Sequence, residues 1–340
     1  MRLVKVPRRE AENARTRISA LDALRKDVVI VEEGEHILIP LKEELDQDSA
    51  MRLGYEIVEG EPAPRSTNRP PFDQIVAALD LPNDLKRLLP RKWELLGDVL
   101  VLKISGALTS HRAEIARAYA QVLGANTVCN EVGVISGVHR TPKMEVLYGD
   151  RTETVHKENG ILYRLDVTKV MFSSGNMDEK RRMASLDCRG ETVVDMFAGI
   201  GYFALPLAVH ARARRVVACE INPIAFGYLV DNIFLNSMEQ VIQPFVGDNR
   251  ELPGEAFADR VLMGYVGTTD LFLAKAFELV KPGGVIHYHE TCPIDEYPER
   301  PLSHIRQAAE GRRFEVLRMG EVKSFAPAIS HYVVDFQVTG

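Results

Sequence analysis

The stretch Val193-Val194-Asp195-Met196-Phe197-Ala198-Gly199-Ile200-Gly201 is the most informative in this chain. An apolar run ends in a carboxylate, and the glycines after it let the backbone pass close to a ligand. At strand–helix spacing follows Cys219-Glu220-Ile221-Asn222-Pro223, where a second carboxylate ends the next strand and is placed to accept both hydroxyls of a ribose. Gly247-Asp248-Asn249, after a strand over 241–246, supplies an acceptor for an adenine amino group and a donor beside it. A lone Gly-x-Gly is an ordinary tight turn, and dinucleotide sites share both the turn and the acidic second strand. A fixed negative charge at Asp195, however, opposes a pyrophosphate seated on a helix N-terminus, whereas a sulfonium and an ammonium tolerate it. The three elements together point to S-adenosylmethionine.

Around them, strands and helices alternate as a doubly wound parallel sheet requires. Seven strands are expected, over 192–195, 215–220, 241–246, 259–263, 284–288, 314–318 and 331–336, with helices over 202–211, 223–236, 270–279 and 302–310. Ligands of such α/β, Rossmann-like sheets lie beyond the carboxyl ends of the strands, where Asp195, Glu220, Asp248 and Gly264 converge. This unit spans 169–340. Before it, 72–168 reads as a mixed α+β domain, with strands near 98–103, 127–130, 145–148, 152–156 and 161–166 and helices over 72–79 and 112–123. Residues 1–60 form a small basic module with helical periodicity over 10–25 and strands at 28–31 and 36–39, and the proline-rich 61–71 reads as a linker.

Composition sets the outer bounds. The 340 residues are 46% apolar and 26% charged, ordinary for a chain with a proper core. No apolar stretch approaches the roughly 20 residues of a membrane span, and the N-terminus lacks the apolar core of a signal peptide, so a cytoplasmic location is expected. Cys129, Cys188, Cys219 and Cys292 form no Cys-x-x-Cys pair and have no histidines at zinc spacing, which points to reduced thiols and no structural zinc. The net charge of -6 gives no global nucleic-acid signal, yet residues 1–27 carry eight basic side chains against four acidic. Further basic clusters lie at His139-Arg140 with Lys143, at Lys180-Arg181-Arg182, at Arg212 with Arg214-Arg215, and at Arg312-Arg313. Each alone is a solvated face; folded onto one side they would make a phosphate track.

Phe172-Ser173-Ser174-Gly175-Asn176, Glu179-Lys180-Arg181, the glycine turn through Tyr202-Phe203, Glu220-Ile221-Asn222-Pro223, Asp231-Asn232, Lys323-Ser324-Phe325-Ala326-Pro327 and His331-Tyr332 resemble the tRNA enzymes that act on the guanosine 3′ of the anticodon. The resemblance covers about residues 95–340 and implies a class I methyltransferase-like fold. The family has two branches. One methylates guanine N1. The other is the wybutosine-synthesising branch, which transfers the 3-amino-3-carboxypropyl arm of S-adenosylmethionine to a ring carbon of the tricyclic precursor 4-demethylwyosine in tRNA(Phe) and releases methylthioadenosine. Met263-Gly264-Tyr265-Val266 stands where the methylating branch carries an Asn-Pro element, and Gly175 stands where it carries an arginine. Both features, with His287-Tyr288-His289-Glu290, resemble the aminocarboxypropyl branch.

The resemblance implies that Ser173 and Lys180 hold the methionine end of the co-substrate, Glu220 the ribose, and Asp248 with Asn249 the adenine, with Asp195, Phe197 and Gly199 shaping the same pocket. Lys180 departs from the arginine more usual in the methylating branch and cannot pair in bidentate fashion. Glu179 matches that branch's base; the alternative is a helix carboxylate paired with a nearby cation. Arg140 and Lys323 match positions near the RNA backbone. Phe197 and Tyr265 either stack on an extruded base or pack the wall. His287 and His289 lie two apart on one strand face, a spacing that permits a metal, but no third ligand is evident and a structural or substrate-contacting role is favoured. The expectation is an S-adenosylmethionine-dependent aminocarboxypropyltransferase acting on tRNA, without metal. The alternatives are a guanine-N1 methyltransferase and a noncatalytic RNA-binding protein ordered by S-adenosylmethionine.

Overall fold

The computed structural model describes residues 1–42, 54–63, 69–133, 141–172 and 174–340. They fall into two compact units, Met1–Gln74 and Ile75–Gly340.

The first unit contains β1 Arg2–Pro7, β2 Val31–Glu33, β3 His36–Pro40 and β4 Glu56–Glu59, paired in the order β2-β3-β1-β4. One helix, Ala11–Ala20, lays Ala14 and Ile18 against Val4, Val6 and Ile39. Strand β1, for which no strand was expected in the basic module, pairs on both sides. Leu3 is buried on one face and Val4 with Val6 on the other, and the half-buried Arg2 and Lys5, one on each face, break the apolar alternation that would mark the strand. The expected helix over 10–25 is shorter, and the middle of the expected linker lies outside the described residues.

The second unit opens with a four-stranded sheet, β5 Glu94–Leu96, β6 Val99–Leu102, β7 Thr127–Glu131 and β8 Met144–Tyr148, covered by the helix Arg112–Leu123, which ends at a left-handed Gly124. A hairpin follows, β9 Glu153–Glu158 and β10 Ile161–Asp166. No boundary between compact units falls at 168. Leu96, Cys129, Tyr163 and Leu165 share one core cluster with Val193, Leu205 and Leu229, so the α+β segment and the large sheet are packed as one body.

The large sheet is built from β11 Thr192–Asp195, β12 Arg215–Glu220, β13 Ile242–Val246, β14 Ala258–Met263, β15 Val280–Pro293, β16 Phe314–Ala326 and β17 Ile329–Val338. These seven strands lie in the order β13-β12-β11-β14-β15-β17-β16. All run parallel from β13 to β15, and β17 enters antiparallel between β15 and β16. The central β11 is buried at every position, as a parallel strand covered on both faces must be. One face packs on Ile200, Leu205, Leu229 and Ile233, the other on Leu273, Phe277 and Ile305. The last three strands outrun their expected lengths, and β15 stays paired with β17 as far as Pro293 and Ile329. The helix expected over 270–279 starts as a 3-10 turn, Thr269–Phe272, and becomes helical at Leu273–Leu279. Among the described residues, no helix is long and apolar enough to cross a membrane.

Candidate active site

Strands β11 to β14 end on one side of the sheet, and there the second unit holds a cavity of about 1220 Å³. Its floor is the glycine turn. Gly199 and Gly201 have φ of 58° and 104°, and a Cβ at Gly201 would lie 2.7 Å from Leu205, so a larger residue is excluded both by conformation and by space. Glu220, at the end of β12, ties this turn to the next. Its Oε2 accepts from Gly199 N at 2.8 Å and its Oε1 from Asn222 N at 2.7 Å, and a carboxylate, with about four lone-pair sites, can accept a ligand hydroxyl beside these two bonds. Asn222 then caps the helix Pro223–Leu235 by accepting from Ile224 N at 2.9 Å.

Asp195 lies beneath the turn and off the cavity wall. It is fully buried, its Oδ1 accepts from Phe197 N at 3.2 Å, and its Oδ2 has no hydrogen-bond partner among the described residues. Desolvation, with the nearby Glu220 charge adding to it, lifts its carboxyl to about 7. Its geometric role is to brace the turn. Asp248 reaches the cavity from the end of β13, accepts from Arg250 N at 2.9 Å, and is held below the usual carboxylate range by the Arg250 side chain. Asn249 donates to Met196 O at 3.0 Å, while its buried Oδ1 is unpartnered among the described residues.

Phe197, Gly199, Glu220, Asp248, Asn249, Lys180, Tyr265 and Lys323 line this one cavity. Phe197 and Tyr265 stack on each other, centroids 5.2 Å apart and 18° between planes, and Phe272 meets Phe197 edge-on. Lys180 is buried, with Nζ 2.6 Å from Glu158 Oε1 and 4.6 Å above the Phe172 ring. Burial pulls its ammonium pKa down against the opposing attraction of Glu158. Glu158 stands at the end of β9, and no local signal singled it out because its partner comes from a distant helix. Ser173 and Arg140 lie outside the described residues.

Glu179 and His289 are also off the cavity wall. Both belong to a buried network under the helix Met177–Ala184. Glu179 accepts two hydrogen bonds from Arg182, at 2.6 and 2.8 Å, and Arg182 also binds Asp335. His287 Nδ1 donates to Asp335 Oδ1 at 2.6 Å, because its Nε2 accepts from Arg260 at 2.7 Å. Desolvation is opposed and outweighed at Asp335 by His287 and Arg182, which hold the carboxyl well below its usual range. Glu290 turns to the other face, bound by Tyr288, Arg300 and His304. No group of His, Cys, Asp and Glu among the described residues is arranged to hold a metal.

Comparison with known proteins fits this geometry. Residues 154–317 match the TRM5/TYW2 methyltransferase domain, 73–152 the TYW2 N-terminal domain, and 4–49 the tRNA methyltransferase 5 N-terminal domain. The tRNA(Phe) (4-demethylwyosine(37)-C(7)) aminocarboxypropyltransferase of Pyrococcus horikoshii is 44% identical over 265 residues, covering 77% of this chain and 95% of that protein. The chain belongs to the TRM5/TYW2 family. Another TRM5/TYW2 relative, the tRNA (guanine(37)-N(1))-methyltransferase Trm5b of Pyrococcus abyssi, is 36% identical and spans 99% of this chain and 98% of its own length. Among solved TRM5/TYW2 structures, P. horikoshii TYW2 in complex with MeSAdo superposes with a TM-score of 0.71 at 42% identity over 79% of this chain and 99% of that one. Trm5b of P. abyssi superposes with 0.74 at 34% identity over the whole of both chains.

Proposed function

We propose that this chain transfers the 3-amino-3-carboxypropyl group of S-adenosylmethionine to C7 of 4-demethylwyosine at position 37 of tRNA(Phe), releasing methylthioadenosine. The observation that carries this reading is Gly264, in the loop after β14. A Cβ there would fall 2.5 Å from the Phe203 ring, so the polar element with which the methylating branch grips its base has no room here unless that ring is displaced. The P. horikoshii and Methanocaldococcus jannaschii relatives that carry the aminocarboxypropyltransferase name, at 44% and 42% identity, support it.

The residues present fit S-adenosylmethionine. Glu220 lines the cavity while bracing two turns, and Asp248 and Asn249 offer an acceptor and an amide at the adenine end. The bound sulfonium supplies an electrophilic carbon that needs no metal. The protein's task is to present the γ-carbon, and not the methyl group, to the nucleobase at about 3 to 3.5 Å. Gly175 bears on that choice: Lys323 Nζ lies 2.9 Å from where its Cβ would be, so a lysine from β16 fills the space an arginine side chain would enter. Lys180, committed to Glu158, holds one wall of the same end. The proposed site of action is the cytoplasm, a reading supported by four buried free thiols.

A second reading, guanine-N1 methylation, is favoured by one finding. The 4–49 match and the full-length likeness to Trm5b give this chain an N-terminal unit of the tRNA methyltransferase 5 kind. The test uses tRNA bearing the precursor, with S-adenosylmethionine labelled separately in the methyl and the carboxypropyl carbons. Label should enter RNA from the carboxypropyl carbons; entry from the methyl group alone would refute the proposal.

A further inference from the structure

A nucleobase that leaves the anticodon stack to meet the transferred carbon gives up the ring faces of its neighbours, and a ring in the enzyme can replace them. Aromatic side chains line the cavity, and all but one are packed against another ring. Phe197 and Tyr265 turn a face each to the other, and Phe272 closes on Phe197 edge-on. Phe172 packs on Tyr202, Phe203 on His289 and Trp93 on Tyr119. Phe325 is the exception. It lines the cavity, is 53% exposed, and has no ring contact among the described residues.

Exposure of one phenylalanine is ordinary, but the setting of this one is not. Phe325 lies on β16, just before the tip of the hairpin that β16 forms with β17. Ser324 pairs with Ser330 and Ala326 with Ile329, so Phe325 is an extra residue that nothing on β17 opposes. Such a bulge breaks the alternation of faces and re-aims the side chain it carries, which is why bulges gather beside active sites. The tip itself is pinned. Ala328 is held in the left-handed region at φ 59°, and its carbonyl accepts from Ile294 N, just past β15, at 3.0 Å. The ring is therefore mounted on a fixed turn of the sheet.

Its place in the cavity follows from Lys323, two residues earlier on the same strand. Lys323 also lines the cavity, and its Nζ lies 2.9 Å from where a Cβ of Gly175 would be. That end of the cavity is the one given above to the amino-acid arm of the co-substrate. Two strand residues span at most about 7 Å, so Phe325 stands beside the point at which the γ-carbon is presented. A phenyl ring carries no hydrogen-bonding group and recognises flat area, not the pattern of a base edge. A three-ring base offers it more area than the two rings of guanine.

We infer that Phe325 is the platform on which the nucleobase at position 37 stacks once extruded, holding the plane of the base while C7 meets the γ-carbon. The inference rests on the aminocarboxypropyl reading above for the identity of that base. No bond to Phe325 forms or breaks, and its contribution is to position the nucleophile.

The test measures affinity for tRNA with the full-length chain saturated in methylthioadenosine, which fills the adenosine pocket without an arm to transfer. Fluorescence anisotropy at one salt concentration reads three tRNAs that differ only at position 37, bearing the precursor tricycle, guanosine or no base. Phe325→Ala should weaken the tricycle tRNA about 10-fold, inside the roughly 5- to 150-fold expected for loss of one base–ring stack, and leave the baseless tRNA within about twofold. The guanosine tRNA should fall between them. Phe325→Tyr, which keeps the flat ring, should hold the tricycle tRNA within about threefold of the parent, whereas Phe325→Leu, apolar but without a ring face, should recover little. Each variant is read as the ratio between tricycle and baseless tRNA, so a general disturbance of the hairpin cancels. A ratio in Phe325→Ala within about twofold of the parent's, or a leucine variant that matches the tyrosine one, would overturn the assignment. Failure of the underlying reading is seen separately, in the unmutated enzyme, as label arriving only from the methyl carbon.

Discussion

Replacing Glu220 by glutamine should weaken every ligand that carries adenosine, and by the same factor. The carboxylate spends one oxygen on Gly199 N at 2.8 Å and the other on Asn222 N at 2.7 Å. A glutamine has a single acceptor oxygen, so its amide nitrogen must confront one of those two backbone donors. One charge-assisted hydrogen bond of about 1.5–3 kcal/mol is lost, and a ribose hydroxyl loses a charged acceptor. Together these give about 2–4 kcal/mol, or roughly 30- to 1000-fold in Kd. Titration calorimetry with S-adenosylmethionine and with methylthioadenosine reads the effect, since the two share the adenosine and differ in the arm. Losses equal within about threefold are expected. A loss confined to S-adenosylmethionine, or one below about fivefold for both, would refute the assignment of Glu220 to the shared part.

Desolvation lowers His287 and His289, the latter to about 3 against an ordinary 6.5, so as pH falls below about 6.5 the unfolded chain takes up protons that the folded chain resists. Asp195, lifted to about 7, works in the opposite sense, because the folded form is protonated before the unfolded one. From these three groups, stability should fall as pH drops from 6 toward 5, and more steeply, by about 1.4 kcal/mol per unit, in Asp195→Asn, as read by denaturant unfolding. A flat or rising profile would contradict this. Gly175→Arg should displace the Lys323 ammonium and lower carboxypropyl transfer at least about tenfold with methylthioadenosine affinity unchanged; unaltered turnover would remove Gly175 from the choice of transferred group. Removing residues 1–70 should leave S-adenosylmethionine binding intact and reduce the salt slope of tRNA affinity by about one for each phosphate that the basic module neutralises. An unchanged slope would deny that module any part in holding the RNA backbone.

The central sheet was legible because its signals are local. Each apolar run ends in a residue that chemistry demands at a strand tip, as at Asp195 and Glu220, and the helix after β12 announces itself with Asn222-Pro223. Parts of the site were not, because their partners lie far apart in sequence. Glu158, on β9, meets Lys180 on the helix Met177–Ala184, and His331 meets His289 only through antiparallel register. Burial cannot be read from a residue's name either. Asp195 looks like a ligand and Glu179 like a base in the sequence, yet both are turned inward, one under the glycine turn and one against Arg182. In the same way, Arg2 and Lys5 masked β1, whose identity lies in the buried Leu3, Val4 and Val6.

Strand β17 controls how the large sheet is completed. Strand β16 precedes it in the chain but pairs within the sheet only with it, and β15 has β17 as its neighbour on the side away from β14. Until β17 inserts, β16 is an orphan and β15 offers an open hydrogen-bonding edge of the kind that invites other chains. The insertion of β17 therefore seals the sheet and delivers His331 to the cavity wall. The same ten residues thus close an edge and complete a wall of the cavity.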